Sequence, residues 1–86
     1  MVRPAILALA ASLLATAAFA ADLTLGTVLG TTPDQINAAL ADAGYTVRKH
    51  EREHGYIEVK ASREGRRYEI KIDGQTGAIT AIELDD

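Results

Sequence analysis

The 86-residue sequence has no cysteine and no tryptophan, and its few aromatic residues are three tyrosines and one phenylalanine. Without cysteine it forms no disulfide and has no thiolate to bind a metal or attack a substrate. Nine lysines and arginines face 12 acids, a net charge of −3. Because the cations are interleaved with acids, we expect no extended positive surface and no nucleic-acid binding. We also expect no cofactor, and a domain this small depends on packing for its stability.

The first twenty residues have the pattern of a secretion signal. A short start containing Arg3 precedes residues 5–18, which carry no charge, and Ala18-Phe19-Ala20 is a small-x-small motif of the kind that signal peptidases cleave. The apolar run is shorter than the roughly 20 residues that cross a bilayer. We therefore predict a cleaved signal peptide over residues 1–20 rather than an uncleaved anchor. The mature protein is then periplasmic or secreted and has no stable membrane span. Losing Arg3 leaves eight cations against 12 acids, so the net charge becomes −4.

Residues 21–31 are short, apolar and interrupted by glycine, which predicts an N-terminal arm or a short strand. The domain itself, residues 32–86, opens with a marked helix start, because Thr32 suits the N-cap and Gln35 closes a capping box. An apolar stripe then recurs at helical spacing on Ile36, Ala39, Leu40 and Ala43. Gly44 ends the helix, since its position favours a residue that tolerates positive φ.

After residue 45 the apolar period changes to two, which predicts strands joined by hairpins. In the middle hairpin, the apolar residues are odd-numbered over 57–61 and even-numbered over 68–72. The two sets share one face of the sheet only if the loop between the strands has an even number of residues, and the two-residue loop Glu64-Gly65 meets this condition. This register sets Lys60 against Glu69 on the opposite face. We predict an α+β fold in which one amphipathic helix packs on a four-stranded antiparallel meander sheet whose other face is wet.

The last hairpin is predicted by the same parity argument. An inner face shared with the middle strands would be formed by Ala78, Thr80, Ile82 and Leu84. A five-residue loop over 73–77 meets this requirement and opposes Arg67 to Glu83. Ile79 would then lie on the wet face, either as a contact for a partner or as an isolated surface residue.

The first hairpin places Tyr45 and Val47 on the inner face only if the loop around His54-Gly55 is odd. Four residues would then point outward as one stripe, namely Arg48, His50, Arg52 and His54. This stripe would gain charge below about pH 6.5 and tune a partner contact. Together with Ile79 it is the predicted partner-contact face.

Residues 65–73 read Gly-Arg-Arg-Tyr-Glu-Ile-Lys-Ile-Asp, and Thr76-Gly77 follows. This stretch resembles the G-x-x-Y-E-V-x-V-D-x-x-T-G signature of PepSY domains, and the helix ending in Gly44-Tyr45-Thr46-Val47 is similar too. The resemblance covers almost all of the mature chain. It implies a small exported or membrane-facing α+β module, found in propeptides of secreted metallopeptidases and as stand-alone periplasmic proteins, that restrains or regulates peptidases. It implies no catalytic residue, and with no protease domain in the sequence the target would act in trans.

One motif points instead to an enzyme, because residues 50–54 match the H-E-x-x-H signature of zinc metallopeptidases. On a helix, His50 and His54 would share one face and could bind one ion at about 2.0–2.1 Å. On a strand they would stand about 13 Å apart. Thr46 and Val47 before the motif, and Gly55 after it, favour a strand and a turn. We therefore predict no catalytic residue and keep these histidines only as weak metal candidates.

Two classes of function follow from the sequence. In the first, the chain is a non-enzymatic PepSY-like module that binds and restrains an exported peptidase or another envelope protein, through a sheet face or an unpaired edge strand. In the second, it is a structural or metal- or pH-responsive ligand-binding envelope protein unrelated to peptidases. Capture of a peptidase favours the first class, and a zinc-dependent rise in melting temperature that is lost with the histidines favours the second.

Overall fold

The structure is a computed structural model in which residues 22–85 are described. The predicted signal peptide lies outside the described residues. One helix, α1 (Pro33–Asp42), precedes four strands, β1 (Thr46–Glu53), β2 (Tyr56–Arg63), β3 (Arg66–Asp73) and β4 (Ile79–Leu84). The strands form one antiparallel sheet in the order β1-β2-β3-β4, and α1 packs on one of its faces. The predicted α+β fold is confirmed.

The start of α1 is fixed by the predicted capping box. The Thr32 hydroxyl accepts a hydrogen bond from the Gln35 backbone N–H at 3.2 Å, and Gln35 Oε1 accepts one from the Thr32 N–H at 3.3 Å. These bonds satisfy amides that have no partner inside the helix. Ile36 and Leu40 are fully buried against the sheet, so the apolar stripe faces the core as expected. Gly44 follows with a φ of 89°, a conformation that favours glycine.

The middle hairpin has the register that the charge pattern predicts. Val59 pairs with Ile70 on the inner face, and Lys60 pairs with Glu69 on the outer face. The two-residue turn, Glu64 and Gly65, has positive φ at both positions, 53° and 80°. Such turns match the twist of the strands they join. The inner residues of both strands are buried except for Tyr68, which is half-buried, while the outer charges remain partly or fully exposed.

The last hairpin differs from the prediction because β4 contains a bulge. Glu69 pairs with Glu83 and Lys71 with Ala81, but the next pair along the ladder is Ile72 with Ile79, so Thr80 is an extra residue. The predicted pairing of Arg67 with Glu83 is wrong. The bulge reverses the parity of β4 only on its N-terminal side, so Ile82 and Leu84 pair with inner-face residues as predicted, whereas Thr80 is exposed and Ile79 is only 2% exposed. The prediction that Ile79 lies on the wet face is therefore wrong, and this residue belongs to the core.

A second bulge lies in β1 and changes the first hairpin. The turn has only two residues, His54 and Gly55, which alone would direct Val47 outward. Val47 nevertheless pairs with Ala61 on the inner face, because the ladder shifts between Val47 and Lys49 and leaves Arg48 as the extra residue. Beyond the bulge His50 pairs with Val59 and therefore also points inward.

The N-terminal segment packs beside β4. Gly26 donates to the Ile79 carbonyl and Ile79 to the Thr27 carbonyl, both at 2.8 Å, and Val28 forms an antiparallel bridge with Ala78. Leu29 is buried in the core. The segment thus covers the beginning of the free edge of β4. At the opposite side of the sheet, no strand within residues 22–85 pairs with the outer edge of β1.

Candidate functional site

The predicted partner-contact residues do not share one face. His50 points towards α1, where its Nε2 lies 2.7 Å from Oδ1 of Asn37. Arg52 lies on the same side and donates to the Thr31 carbonyl at 3.2 Å. Arg48 occupies the bulge and His54 the turn, both exposed, whereas Ile79 is in the core. The single outward stripe predicted from the sequence is wrong, because the extra residue lies at the bulge and not in the turn, so His50 and Arg52 pair with the inner-face residues Val59 and Ile57.

The two histidines also differ in their surroundings. His50 lies in a strand and is bonded to the helix, and His54 lies in the following turn. Neither belongs to a group of three potential ligands within residues 22–85. The described residues do bring three carboxylates within 4.8 Å of one another, those of Glu51, Glu53 and Glu58. They are exposed or half-buried, as acidic clusters without an ion commonly are.

Glu58 is the most perturbed carboxyl of the outer sheet face. A hydrogen bond with Glu69, partial burial and a further hydrogen bond with Glu51 raise its pKa to about 7. A neutral carboxyl can donate to a carboxylate, whereas two carboxylates repel each other. Glu51 behaves oppositely, because Lys49 lies 3.2 Å away and holds the pKa of Glu51 below its ordinary value. Glu58 on the outer face is therefore partly protonated near neutral pH.

The turn between β3 and β4 shows what the family-like D-x-x-T-G residues do. Asp73 Oδ1 accepts hydrogen bonds from the backbone N–H groups of Thr76 and Gln75, at 2.9 and 2.8 Å, and these bonds lower the pKa of Asp73. The Thr76 hydroxyl accepts from the Ala78 N–H at 3.2 Å. Gly77 has a φ of 78°, and a Cβ there would lie 2.7 Å from the Gly30 carbonyl oxygen. The role of these residues is to shape the turn and seat the N-terminal segment.

A feature that sequence reasoning missed is a shallow cavity of about 280 Å³ on the outer face near the β2–β3 turn. We call it the basic groove, and its charged lining residues are Arg48, Lys49, Lys60, Arg67 and Asp85. A second cavity of about 400 Å³ adjoins it and shares Arg48 and Arg67. The dipeptides Arg48-Lys49 and Arg66-Arg67 were the available signals. They come together only through the β1–β2 register and the bulge in β1, and neither of these was predicted from the sequence.

The fold and the turn together define a small α+β module, with a helix over a four-stranded antiparallel meander and an Asp73-to-Gly77 turn that holds the N-terminal segment in place. The chain belongs to the PepSY family: the family model described as peptidase propeptide and YPEB domain matches residues 4–83. Comparisons with curated proteins and with solved structures give no match.

Membership supports a peptidase-propeptide-like module. PepSY domains are generally non-catalytic and are typically extracellular or periplasmic. Within residues 22–85, no helix is long and apolar enough to cross a membrane.

Proposed function

We propose that the chain is an exported, non-enzymatic module that binds and restrains a peptidase or another envelope protein in trans. The observation that carries this proposal is the open edge of β1 in a chain of the peptidase-propeptide family. An unpaired edge offers a row of backbone N–H and C=O groups, to which an extended segment of another protein can add as a further strand. A segment bound in this way is held along its backbone.

The surroundings of β1 support this mode of binding. A segment that pairs with the outer edge of β1 would lie next to the charged side chains that β1 directs to the outer face of the sheet, and these are accessible to a partner. The inner side of the same strand is fixed to α1 by the hydrogen bond between His50 and Asn37. The edge is thus presented by a strand that is already in place, which reduces the ordering cost of binding.

Several observations argue against catalysis by this chain. The two imidazoles of the H-E-x-x-H match lie in a strand and a turn, not on one helical face. His50 is bonded to Asn37, and the basic groove and the cavity beside it are shallow, with charged lining residues that are mainly cations. Nucleophilic catalysis needs a nucleophile and a base in hydrogen-bond contact.

A second candidate, a pH-responsive envelope protein, is supported by Glu58, whose pKa near 7 lets the outer face change charge close to neutral pH. The two candidates differ in their partner. Both are compatible with an exported protein, but only the first requires a peptidase.

The test is a titration of the purified mature domain into an assay of each metallopeptidase that is exported with it. We expect the cleavage rate of at least one enzyme to fall as the domain concentration rises, and to recover on dilution. The matched control is the domain denatured and cleared of aggregates. Equal cleavage rates with and without the folded domain, for every co-exported peptidase, would contradict the proposal.

A further inference from the structure

The basic groove concentrates positive charge in a protein that is acidic overall. Among residues 22–85, four cations and one acid, Asp85, line it. By contrast, the other end of the outer face carries the carboxylates of Glu51, Glu53 and Glu58 within reach of one another. Positive charge is therefore concentrated at one end of the outer face and negative charge at the other. An anionic ligand is attracted to the end near the β2–β3 turn and repelled from the other.

The contacts of Asp85 show which chemistry the groove accepts. Its Oδ2 lies 3.7 Å from Lys60 Nζ, and its backbone N–H donates to the Arg67 carbonyl at 2.9 Å. The groove thus already holds the carboxylate of a residue whose backbone is hydrogen-bonded to β3. The ion pair is long and both side chains are about two-fifths exposed, so it is weak and another carboxylate can displace it.

Arg48 and Lys49 place the groove beside the open edge of β1. Arg48 is exposed at the bulge, and no ion pair engages its guanidinium within residues 22–85. Lys49 is the next residue of the edge strand and pairs with Lys60 across the sheet. Its ammonium group lies 3.2 Å from Glu51, but both side chains are exposed, so this ion pair is weak and another carboxylate can replace it. A strand that adds to β1 at this end brings its outward side chains next to these cations.

We propose that the basic groove recognises an acidic, extended segment of the partner, whose carboxylates contact Arg48, Lys49 and Lys60 while its backbone lies along β1. This inference rests on the proposed function, because it names the chemistry of the segment that the edge captures. An extended polyanion such as a nucleic acid fits less well, since Glu58, Glu69 and Glu83 share the outer face with the groove. A short acidic segment along β1 is separated by two strands from Glu69, which pairs with Lys60, and by three strands from Glu83.

The first experiment measures fluorescence anisotropy of a labelled ten-residue peptide of alternating Glu and Ser, with its Gln-for-Glu counterpart as a neutral control. We expect the acidic peptide to bind in low salt and to lose affinity as salt rises. Arg48→Gln should weaken binding about threefold to fivefold, the size of one exposed ion pair. Lys71→Gln removes the same charge from the acidic end of the face and should leave affinity unchanged.

The second experiment separates occupation of the groove from net charge. Asp85→Asn frees Lys60 and should raise affinity for the acidic peptide about twofold to threefold. Asp42→Asn changes the net charge equally at the end of α1, and we expect no effect there. If both variants raise affinity alike, or if Arg48→Gln and Lys71→Gln weaken it alike, the groove has no specific role and the proposal is wrong. Circular dichroism of each variant confirms that the fold is retained.

Vesicles containing phosphatidylglycerol test the other source of negative charge. Binding to vesicles that depends on Arg48, without binding to the acidic peptide, would overturn the proposal in favour of a lipid surface. The outcome is independent of the peptidase assay: a domain that slows a peptidase equally well with Arg48→Gln would keep the proposed function and refute the acidic segment.

Discussion

Glu58 lies at a crowded position of the outer sheet face. It pairs with Glu51 on β1 and with Lys71 on β3, and it shares a hydrogen bond with Glu69. A carboxyl whose pKa is raised by folding binds its proton more tightly in the folded chain than in the unfolded chain. Stability is then highest while both states are protonated and falls as the pH rises from the ordinary value of 4.5 towards about 7.

The first prediction follows from this position. The melting temperature of the mature domain should fall between pH 5 and pH 7.5, and in Glu58→Gln this fall should be much smaller, because glutamine keeps the hydrogen bonds without the charge. Glu64→Gln, in the β2–β3 turn, is the control and should retain the wild-type profile. If the melting temperatures of wild type and Glu58→Gln changed in parallel with pH, Glu58 would not bind its proton more tightly in the folded chain, and the prediction would be wrong.

Ile79 provides the second prediction, since the sequence places it on the surface and the structure places it in the core. Ile79→Ala should lower the free energy of unfolding by about 2–5 kcal/mol, because it leaves a cavity beside Ile72. Leu84→Ala, at a side chain that is 55% exposed, should cost less than about 0.5 kcal/mol. Urea denaturation measures both values, and similar small losses would support the surface position instead.

At the level of elements, the N-terminal segment depends on the close approach of two glycines. A Cβ on Gly77 would lie 2.7 Å from the Gly30 carbonyl oxygen, and Leu29 donates to the Gly77 carbonyl at 2.8 Å. The segment in turn contributes Leu29 to the core, with Leu23 packed against it. If Gly30 and Gly77 could no longer lie this close together, both the N-terminal segment and the neighbouring half of β4 would be exposed.

The third prediction compares two glycines with positive φ. Gly77→Ala should cost at least about 2 kcal/mol, from backbone strain together with the clash against Gly30. Gly26→Ala has a similar φ but nothing within 4 Å of the new Cβ, so it should cost only about 1 kcal/mol of strain. Limited proteolysis should cut the N-terminal segment faster in Gly77→Ala alone. Equal stability and equal proteolysis of the two variants would contradict the role of the contact.

The elements differ in how well the sequence predicts them. The helix is marked by its capping box, and the middle hairpin by alternating residues and complementary charges, so both follow from local patterns. The outer hairpins do not, because each contains one bulge residue, Arg48 or Thr80. The position of a bulge depends on which side chains the whole core can bury. The alternation of apolar residues along one strand does not show this position.

At the scale of the whole molecule, the same bulges explain why the predicted contact face was misplaced. The basic groove needs Arg48 and Lys49 of β1 beside Lys60 and Arg67, and this juxtaposition depends on the shifted ladder. The family and the open edge of β1, by contrast, follow from the signature and from the order of the strands. The sequence therefore predicts the class of module but not the arrangement of charges on its surface.

Strand addition to β1 is tested most directly by amide hydrogen exchange of the mature domain, alone and in complex with a peptidase that it restrains. If the partner adds a strand to β1, the outward-facing amides of β1 exchange rapidly in the free domain and become protected in the complex, while those of β3 remain as they were. Protection confined to α1 or β4, with exchange along β1 unchanged, would contradict strand addition.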